Sequence, residues 1–414
     1  MRKYYSLYGH LLDRELLYRS FRKVKRNKGA AGTDGQSLVD FEQNLEAELG
    51  QLLHELKTKT YTAQPVGRVA ISKPDGGERL LGIPSVRDRI VQQALKSLLE
   101  PLFDPDFHSS SYGYRPGRSC HDAINKTTMF IRDYHRQWVV DMDLSRCFDT
   151  LDHELLINAV KRKVSDGSIL NLLRQFLNSG IMDGDVLNYE EQGSPQGGVI
   201  SPLLANIYLD GFDQEMKRRG HRMVRYADDI LILCCSESGA TNALAKATQL
   251  LEESLKLTVN RKKTHIVHSD DGVKYLGVEI GSRYTRIQPK KLAEFKERIR
   301  QLTKRNGGCN LVTVVTKLNP VLRGFAQYFK IANCYREMKS LASWVRRRLR
   351  AIQLKLWKKP GRLHRRLRQL GYKGPFKFIK MNSWRNSRSP LASFAMPNSW
   401  FDSIGLFRLD GIFQ

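Results

Sequence analysis

The stretch Arg225-Tyr226-Ala227-Asp228-Asp229 constrains this chain more than any other, because it sets two carboxylates at a sharp turn between two apolar runs. His221 to Tyr226 reads as one strand, and Ile230-Leu231-Ile232-Leu233 with Cys234-Cys235 reads as the next. A hairpin of this kind fixes its turn residues while its flanks lie in a buried sheet. Adjacent carboxylates there suit a hard divalent cation, which takes oxygen ligands and leaves positions open for phosphates. Asp also favours turns for purely local reasons, so the motif alone leaves a plain turn open.

A second acidic strand end bears on that choice. Trp138-Val139-Val140-Asp141-Met142-Asp143-Leu144 is a β-branched run carrying carboxylates, followed by Ser145-Arg146-Cys147-Phe148-Asp149. Two acidic strand ends can together hold a pair of ions about 3.5–4 Å apart, which stabilise the attacking and leaving oxygens of an in-line displacement. Such chemistry needs a phosphate-bearing partner, and the charge balance supplies the motive. Against 42 Asp plus Glu stand 69 Lys plus Arg, a formal net charge of +27. An excess that large points to a polyanion, since neutralising phosphates releases counterions.

The 414 residues allow two or three domains, and 41 % hydrophobic content fits a folded core rather than disorder. The six cysteines (Cys120, Cys147, Cys234, Cys235, Cys309 and Cys334) form no C-x-x-C pair and no zinc spacing with His. They read as free thiols in a reducing cytosol. No apolar run approaches the ~18 residues of a membrane span, and the N-terminus lacks the apolar core of a signal peptide. The expectation is a soluble cytoplasmic protein with no membrane partner, lying with the nucleoid through its nucleic acid.

In chain order, Asp13 to Lys25 and Leu38 to Lys59 read as helices around the glycine-rich loop Asn27 to Gly35. Glycines there can let backbone approach phosphates, a weak signal beside ordinary loop chemistry. Val66 to Ser72 and Leu80 to Pro84 read as strands about the turn Lys73 to Arg79. Lys73 and Arg79 flank that turn, as a phosphate clamp or as a solvated basic hairpin. Asp88 to Leu99 reads as a helix. Ser109 to Ser119 mixes Tyr112, Tyr114, Arg115 and Arg118 with hydroxyls, a composition suited to stacking on bases and bonding phosphates. Helices are expected over Ser119 to Tyr134, Leu151 to Val164, Ser168 to Leu177 and Leu203 to Lys217, the last opened by the loop Gly193 to Pro202. Ala240 to Leu255 reads as a further helix, and Lys274 to Ile280 as a final strand. Strand, helices, hairpin, helix and strand make an antiparallel sheet backed by helices, an α+β layer. From Pro289 basic helices follow, at Leu292 to Lys304, Val312 to Lys330 and Glu337 to Trp357, where aromatics interleave with Arg346, Arg347, Arg348 and Arg350. An arginine-rich helical face with aromatic anchors suits a nucleic-acid backbone. The tail from about Gly371 is less regular.

Taken in order, the stretches NKGAAGTDG, SKPDGGERLLGIPSVRDRIVQQA, SSSYGYRPGRSCHDA, VVDMDLSRCFDTLDH, GSPQGGVISPLLANIYLD, RYADD, LKLTVNRKKT and KYLG resemble those of group II intron-encoded reverse transcriptases, or maturases. LNPVLRGFAQYF and WVRRRLR resemble the maturase thumb, so the likeness covers nearly the full chain. It implies a right-hand polymerase: fingers and antiparallel-sheet palm over 1–285 (with an N-terminal extension about 1–60), an all-α thumb or maturase X domain over 286–370, and a short DNA-binding-like segment over 371–414. By position in the motifs, Asp143, Asp228 and Asp229 belong to the acidic metal site, with the Leu144 carbonyl as a further ligand. Two Mg²⁺ ions are implied, with Mn²⁺ as a substitute. Asp141 shares the face of Asp143 on an ideal strand, and the family pattern rather than periodicity sets it and Asp149 aside. Phe148 lies where the family excludes a ribose 2′-hydroxyl, and Gln196 where it contacts the incoming nucleotide. Lys73 with Arg79 resembles the triphosphate clamp, and Lys263 stands where it would aid pyrophosphate departure. Arg115 and Arg118 would meet the template, and Tyr275-Leu276-Gly277 resembles the primer grip. Arg346, Arg347, Arg348 and Arg350 would bind RNA from the thumb.

The partners so implied are an RNA (or DNA) template, a DNA primer, group II intron RNA and a DNA target, and the oligomeric state is not set. The family's Phe-Phe-Asp is Cys147-Phe148-Asp149 here, which keeps the gate and shrinks its neighbour. No cysteine pair marks an appended nuclease, so the likeness is to the compact bacterial type, whose mobility would depend on nicks or replication forks. The functional expectation is an RNA-directed DNA polymerase that also assists splicing. The alternatives are a domesticated relative acting in DNA repair or defence without an intron, and a splicing factor with a vestigial palm.

Overall fold

Two carboxylate-bearing strand ends need a sheet to register them, and that sheet lies in the first of two compact units, Met1–Ser269 and Asp270–Gln414. The computed structural model describes residues 3–72, 78–183, 186–188, 192–193 and 197–411. The first unit begins with α1 (Tyr8–Leu11), α2 (Arg14–Arg26), α3 (Leu38–Gln43) and α4 (Leu45–Thr58). Asp13 caps α2, and Ser37 with Asp40 forms a capping box that starts α3. The single helix expected over 38–59 breaks at Asn44, yet its stripe survives, with Phe41, Leu49, Leu52 and Leu56 buried. A Cβ at Gly32 would overlap the Ser85 backbone, and one at Gly29 the Arg89 guanidinium, so close packing accounts for both glycines.

Next come β1 (Val66–Ser72), β2 (Glu78–Ile83), α5 (Val86–Phe103), α6 (Cys120–Arg132) and β3 (Trp138–Met142). α7 (His153–Lys161), α8 (Gly167–Leu177), β4 (Ile181–Asp183), β5 (Val186–Asn188) and α9 (Ser201–Arg218) follow, then β6 (Arg222–Tyr226), β7 (Asp229–Cys234), α10 (Glu237–Gln249) and β8 (His265–His268). The strands form two sheets, ordered β2-β1-β4-β5 and β6-β7-β3-β8. Every pairing in the second is antiparallel. That is the expected α+β layer, with β8 as an edge strand that a sequence of mixed polarity did not announce. Val139, Val140 and Met142 are buried, as are Ile230 to Leu233, so the sheet is clamped between helices on its apolar faces.

In the second unit the stretch expected as one strand is a hairpin. β9 (Val273–Tyr275) and β10 (Val278–Ile280) turn about Leu276 (φ 45°) and Gly277 (φ 82°), and β11 (Thr285–Ile287) completes a separate three-stranded sheet. Two positive φ values in a two-residue loop give a type I′ turn, which the Gly tolerates and Leu276 does not disclose by propensity. α11 (Pro289–Leu302), α12 (Leu311–Phe329), α13 (Tyr335–Trp357), α14 (Pro360–Gln369), α15 (Pro390–Ala395) and α16 (Asn398–Ser403) make up the rest. The tail is stapled to α13 by its arginines. Arg346 pairs with Asp410 at 3.2 Å, and Arg350 donates to the Met396 carbonyl at 3.0 Å. Arg348 donates to Thr303 Oγ1 at 2.6 Å and lies over the Trp384 ring at 4.8 Å. Among the described residues no helix is long and apolar enough to cross a membrane.

Candidate active site

The acidic turn is a two-residue hairpin loop, because Tyr226 pairs with Asp229 and leaves Ala227 and Asp228 between them. Ala227 sits at φ 59°, a conformation that costs a non-glycine residue on the order of 1–3 kcal/mol and persists only where surroundings over-determine it. The surroundings are identifiable. Gly113 packs so closely on this turn that a Cβ there would overlap the Ala227 backbone. Arg225, at 1 % exposure, donates to the Ala227 carbonyl at 2.9 Å and to Asn206 Oδ1 at 2.9 Å. Its Nε and Nη2 reach Asp213, itself fully buried, at 2.9 and 2.6 Å. Asn206 also donates to the Gly113 carbonyl at 2.9 Å, and the Ser110–Tyr112 backbone bonds to both sides of Arg225. Asn206 and Asp213 are seven residues apart on α9, two helical turns, and so share the face that meets β6. One buried ion pair thus ties α9, the 110–113 loop and the acidic turn together.

The other acidic strand end lies alongside. Continuing the β3–β7 register, in which Met142 faces Ile230, sets Asp143 opposite Asp229. Residues so opposed have Cα atoms about 4.5–5.5 Å apart. The 258–264 segment fixes Asp143 from its other side. Asn260 donates its side-chain amide to Asp143 Oδ2 at 2.9 Å and its N–H to the Asp143 carbonyl at 2.9 Å. Lys263 Nζ stands 3.3 Å from the same carboxylate. Because Ser145 N–H bonds to the Thr258 carbonyl, the pairing leaves the Leu144 carbonyl turned away from that segment, toward the β7 side.

Crowded carboxylates show in their proton affinity. Burial pushes Asp229 up to about 7, helped by the charges of Asp228, Asp141 and Asp143 and opposed by Lys263. Burial also pushes Asp141 up to about 6, with His265 opposing and Asp143 adding. Asp141 thus stands in the same acidic field as Asp143, on the face that strand alternation assigns to both. Like charges held this close signal a site built for a positive counter-charge.

The remaining expected residues divide clearly. Phe148 is 9 % exposed and meets the Tyr114 ring edge-on at 6.5 Å, a wall beside the acidic turn. Cys147 is in the core, and burial, then the Asp228 charge, pushes its thiol up to about 12. Arg115 is turned inward: it donates to the Asp104 carboxylate and carbonyl at 2.7 Å and to the His108 and Ser111 carbonyls at 2.9 Å. It therefore braces the loop instead of reaching toward a template. Arg118 does face outward, lining an open cleft of about 460 Å³ with Asn125 and Lys126. Lys73 and Gln196 lie outside the described residues, as does the side chain of Arg79, whose backbone pairs with Ile71. The loop leading from Gln196 does pack on β2, since a Cβ at Gly197 would overlap the Gly82 carbonyl. Tyr275, Leu276 and Gly277 form the β9–β10 hairpin of the second unit, where Tyr328 Oη donates to the Leu276 carbonyl at 2.7 Å. The sequence reading missed Asn206, Asp213, Arg225 and Asn260. Polar residues two turns apart in the apolar helix LLANIYLDGFD were the available signal for the first two.

Comparison with known proteins agrees with this geometry. Residues 71–280 match the family model for reverse transcriptase (RNA-dependent DNA polymerase), and residues 292–371 match the maturase-specific domain of group II introns. Protein YkfC of Escherichia coli (strain K12) is 36 % identical over 302 residues, covering 64 % of this chain and 79 % of that protein. The group II intron-encoded protein LtrA of Lactococcus lactis subsp. cremoris is 29 % identical over 343 residues, covering 67 % of this chain and 57 % of LtrA. The COX1/OXI3 intron 2 protein of Saccharomyces cerevisiae is 28 % identical over 327 residues, covering 65 % of this chain and only 38 % of its own length. The chain thus spans little more than half of LtrA and less of the yeast protein.

Reverse transcriptases use divalent metal ions, and the donors here fit one. They are oxygens alone, in a surplus of negative charge. Among the described residues no three Asp, Glu, His or Cys side chains enclose one point. Hard divalent ions can be held by one or two carboxylates, with substrate oxygens completing the coordination. The braced acidic turn, its partner strand and both matched models lead to one assignment: the chain belongs to the reverse transcriptases, RNA-dependent DNA polymerases, and carries the maturase-specific domain of group II introns.

Proposed function

We propose that the protein extends a DNA primer on an RNA template, and also on DNA, using dNTPs, and that it binds group II intron RNA to assist splicing and mobility. The observation that carries the polymerase reading is the pairing of Met142 with Ile230, whose continuation brings Asp143 next to Asp229, with Asp228 in the adjoining turn. Asp143, Asp228 and Asp229, with the Leu144 carbonyl, would hold two Mg²⁺ ions, for which Mn²⁺ can stand in. When bound, such ions offset charge developing on the attacking and leaving oxygens of phosphoryl transfer. The chain's own residues supply alignment and field. Asn260 orients Asp143. Lys263, largely exposed and 3.3 Å from Asp143 Oδ2, would offset negative charge on departing pyrophosphate and pass it a proton. Phe148 with Tyr114 forms a wall that a ribose 2′-hydroxyl would strike. Lys73, Arg79 and Gln196 are assigned to the triphosphate and base of the incoming nucleotide, Arg118 to the template, and the Tyr275-Leu276-Gly277 turn to the primer. The maturase-specific match supports the intron RNA as a partner, with a DNA target for mobility.

The two activities separate by mutation. Asp228→Asn should abolish primer extension while leaving binding of group II intron RNA and its splicing at limiting Mg²⁺ as in wild type. A folded wild type that binds such RNA no more tightly than length-matched unstructured RNA would remove the intron from this reading.

A further inference from the structure

The β9–β10 turn stands in a conformation that its own sequence disfavours. Leu276, at φ 45°, is the first residue of a two-residue type I′ loop, where Asn or Asp before Gly is the usual choice. A leucine there is strained and persists only where its surroundings over-determine it. Those surroundings come from the chain that follows the hairpin. Tyr328 Oη, on α12, donates to the Leu276 carbonyl at 2.7 Å. The Gln288 N–H, at the start of α11, donates to the Gly277 carbonyl at 3.1 Å, and its side-chain amide to the Val278 carbonyl at 2.9 Å. Both carbonyls of the loop are thus engaged. Tyr328 is in turn aimed by a ladder of rings. It meets Phe329 edge-on at 4.8 Å, Phe329 meets Phe325 at 4.7 Å, and Phe325 stacks on Phe295 of α11 at 3.6 Å. A Cβ at Gly277 would lie 3.7 Å from the Phe329 ring, an ordinary contact, so the same ladder packs against the loop.

The two ends of the Tyr328 bond belong to differently matched regions. Leu276 lies within residues 71–280, which match the reverse transcriptase model, and Tyr328 within 292–371, which match the maturase-specific domain. We infer that Tyr328 is a positioning residue for primer extension: its hydroxyl, supplied by the maturase-specific region, holds the Leu276-Gly277 turn in the shape that receives the primer. This rests on the reading of Tyr275-Leu276-Gly277 as the turn that meets the primer. Tyr328 touches no reacting atom and acts only through the turn. When its hydroxyl is lost, a smaller fraction of the protein carries a competent turn, and the demand for primer rises by the inverse of that fraction. Loss of one neutral hydrogen bond changes such a population by about two- to tenfold. The chemical step is set at the acidic turn of the first unit, so turnover at saturating primer and the KM for dNTP stay as in wild type.

The test is single-nucleotide extension by the full chain, at saturating dNTP, against the concentration of a DNA primer annealed to an RNA template. Tyr328→Phe should raise the concentration for half-maximal extension by about two- to tenfold, with kcat and the KM for dNTP unchanged. Leu276→Asn gives the turn the residue that type I′ favours, so in that background Tyr328→Phe should cost little. A role of Tyr328 in helix packing alone would give the same loss in both backgrounds. An unchanged primer requirement in Tyr328→Phe, or an equal loss in the two backgrounds, overturns the inference. Gly277→Val, which φ 82° does not admit without strain, tests the reading beneath it. If a folded Gly277→Val also keeps the wild-type primer requirement, the turn is not where the primer is met. If Gly277→Val raises that requirement and Tyr328→Phe does not, the primer reading stands and only the role of Tyr328 falls.

Discussion

Removing the Asp213 carboxylate exposes how much the acidic turn depends on what lies beneath it. Arg225 is 1 % and Asp213 0 % exposed in their side chains, so neither charge has water to fall back on. In Asp213→Ala the guanidinium keeps its bonds to Asn206 and to the Ala227 carbonyl but loses the carboxylate it is paired with. Taking one partner from a buried pair costs about 3–5 kcal/mol. For large domains each kcal/mol moves the melting point by about 2–4 °C, so the transition of the first unit should fall by roughly 6–20 °C. Removing both charges, as Arg225→Met with Asp213→Leu, costs far less, because no unpaired ion is left. The double variant also removes the donor to the Ala227 carbonyl, so it should remain folded yet extend primers more slowly than wild type at saturating dNTP. Circular dichroism melts paired with primer extension read both quantities. A melt of Asp213→Ala within about 2 °C of wild type, well under the shift expected from a stranded buried charge, would refute the reasoning. So would full activity in the double variant.

Three further outcomes follow from the same geometry. Asn260→Ala frees the Asp143 carboxylate at a cost of about 1.5–3 kcal/mol for a bond to a charged group, and should raise the metal concentration for half-maximal extension; an unchanged metal requirement in the folded variant contradicts the role. In metal-free buffer, Asp229 at about 7 in the fold, against about 3.9 when unfolded, holds a proton the unfolded chain has lost. Stability should therefore fall as pH rises from 4 to 7, and Asp229→Asn should narrow that fall; an equal fall in the variant contradicts the assignment. Phe148→Val should raise incorporation of rNTPs about tenfold or more, equivalent to about 1.4 kcal/mol, and unchanged discrimination in single-nucleotide assays would move the gate elsewhere.

Local chemistry made much of this legible in the sequence. Ser119 opens a helix and Ala227-Asp228 forms the turn, as their residue types suggest, and the apolar runs of β3 and β7 are buried strands. Contacts between distant segments were not legible. Nothing near Arg225 in sequence reveals Asp213 as its partner, and nothing near Arg115 reveals that its guanidinium is consumed by Asp104, His108 and Ser111. Periodicity placed Arg346, Arg347, Arg348 and Arg350 on one helix but cannot say which face meets the tail, so one label covered residues that staple and residues that are free to bind. The β9–β10 turn read as continuous strand because Leu276 carries no turn signal.

Primer extension on an RNA template with Mg²⁺ is the most direct test of the acidic site, comparing wild type with Asp228→Asn and dNTPs with rNTPs. Extension by wild type with dNTPs, lost in the folded variant and absent with rNTPs, is the expected result. Equal extension by Asp228→Asn, or none by a folded wild type across salts and primers, would contradict it.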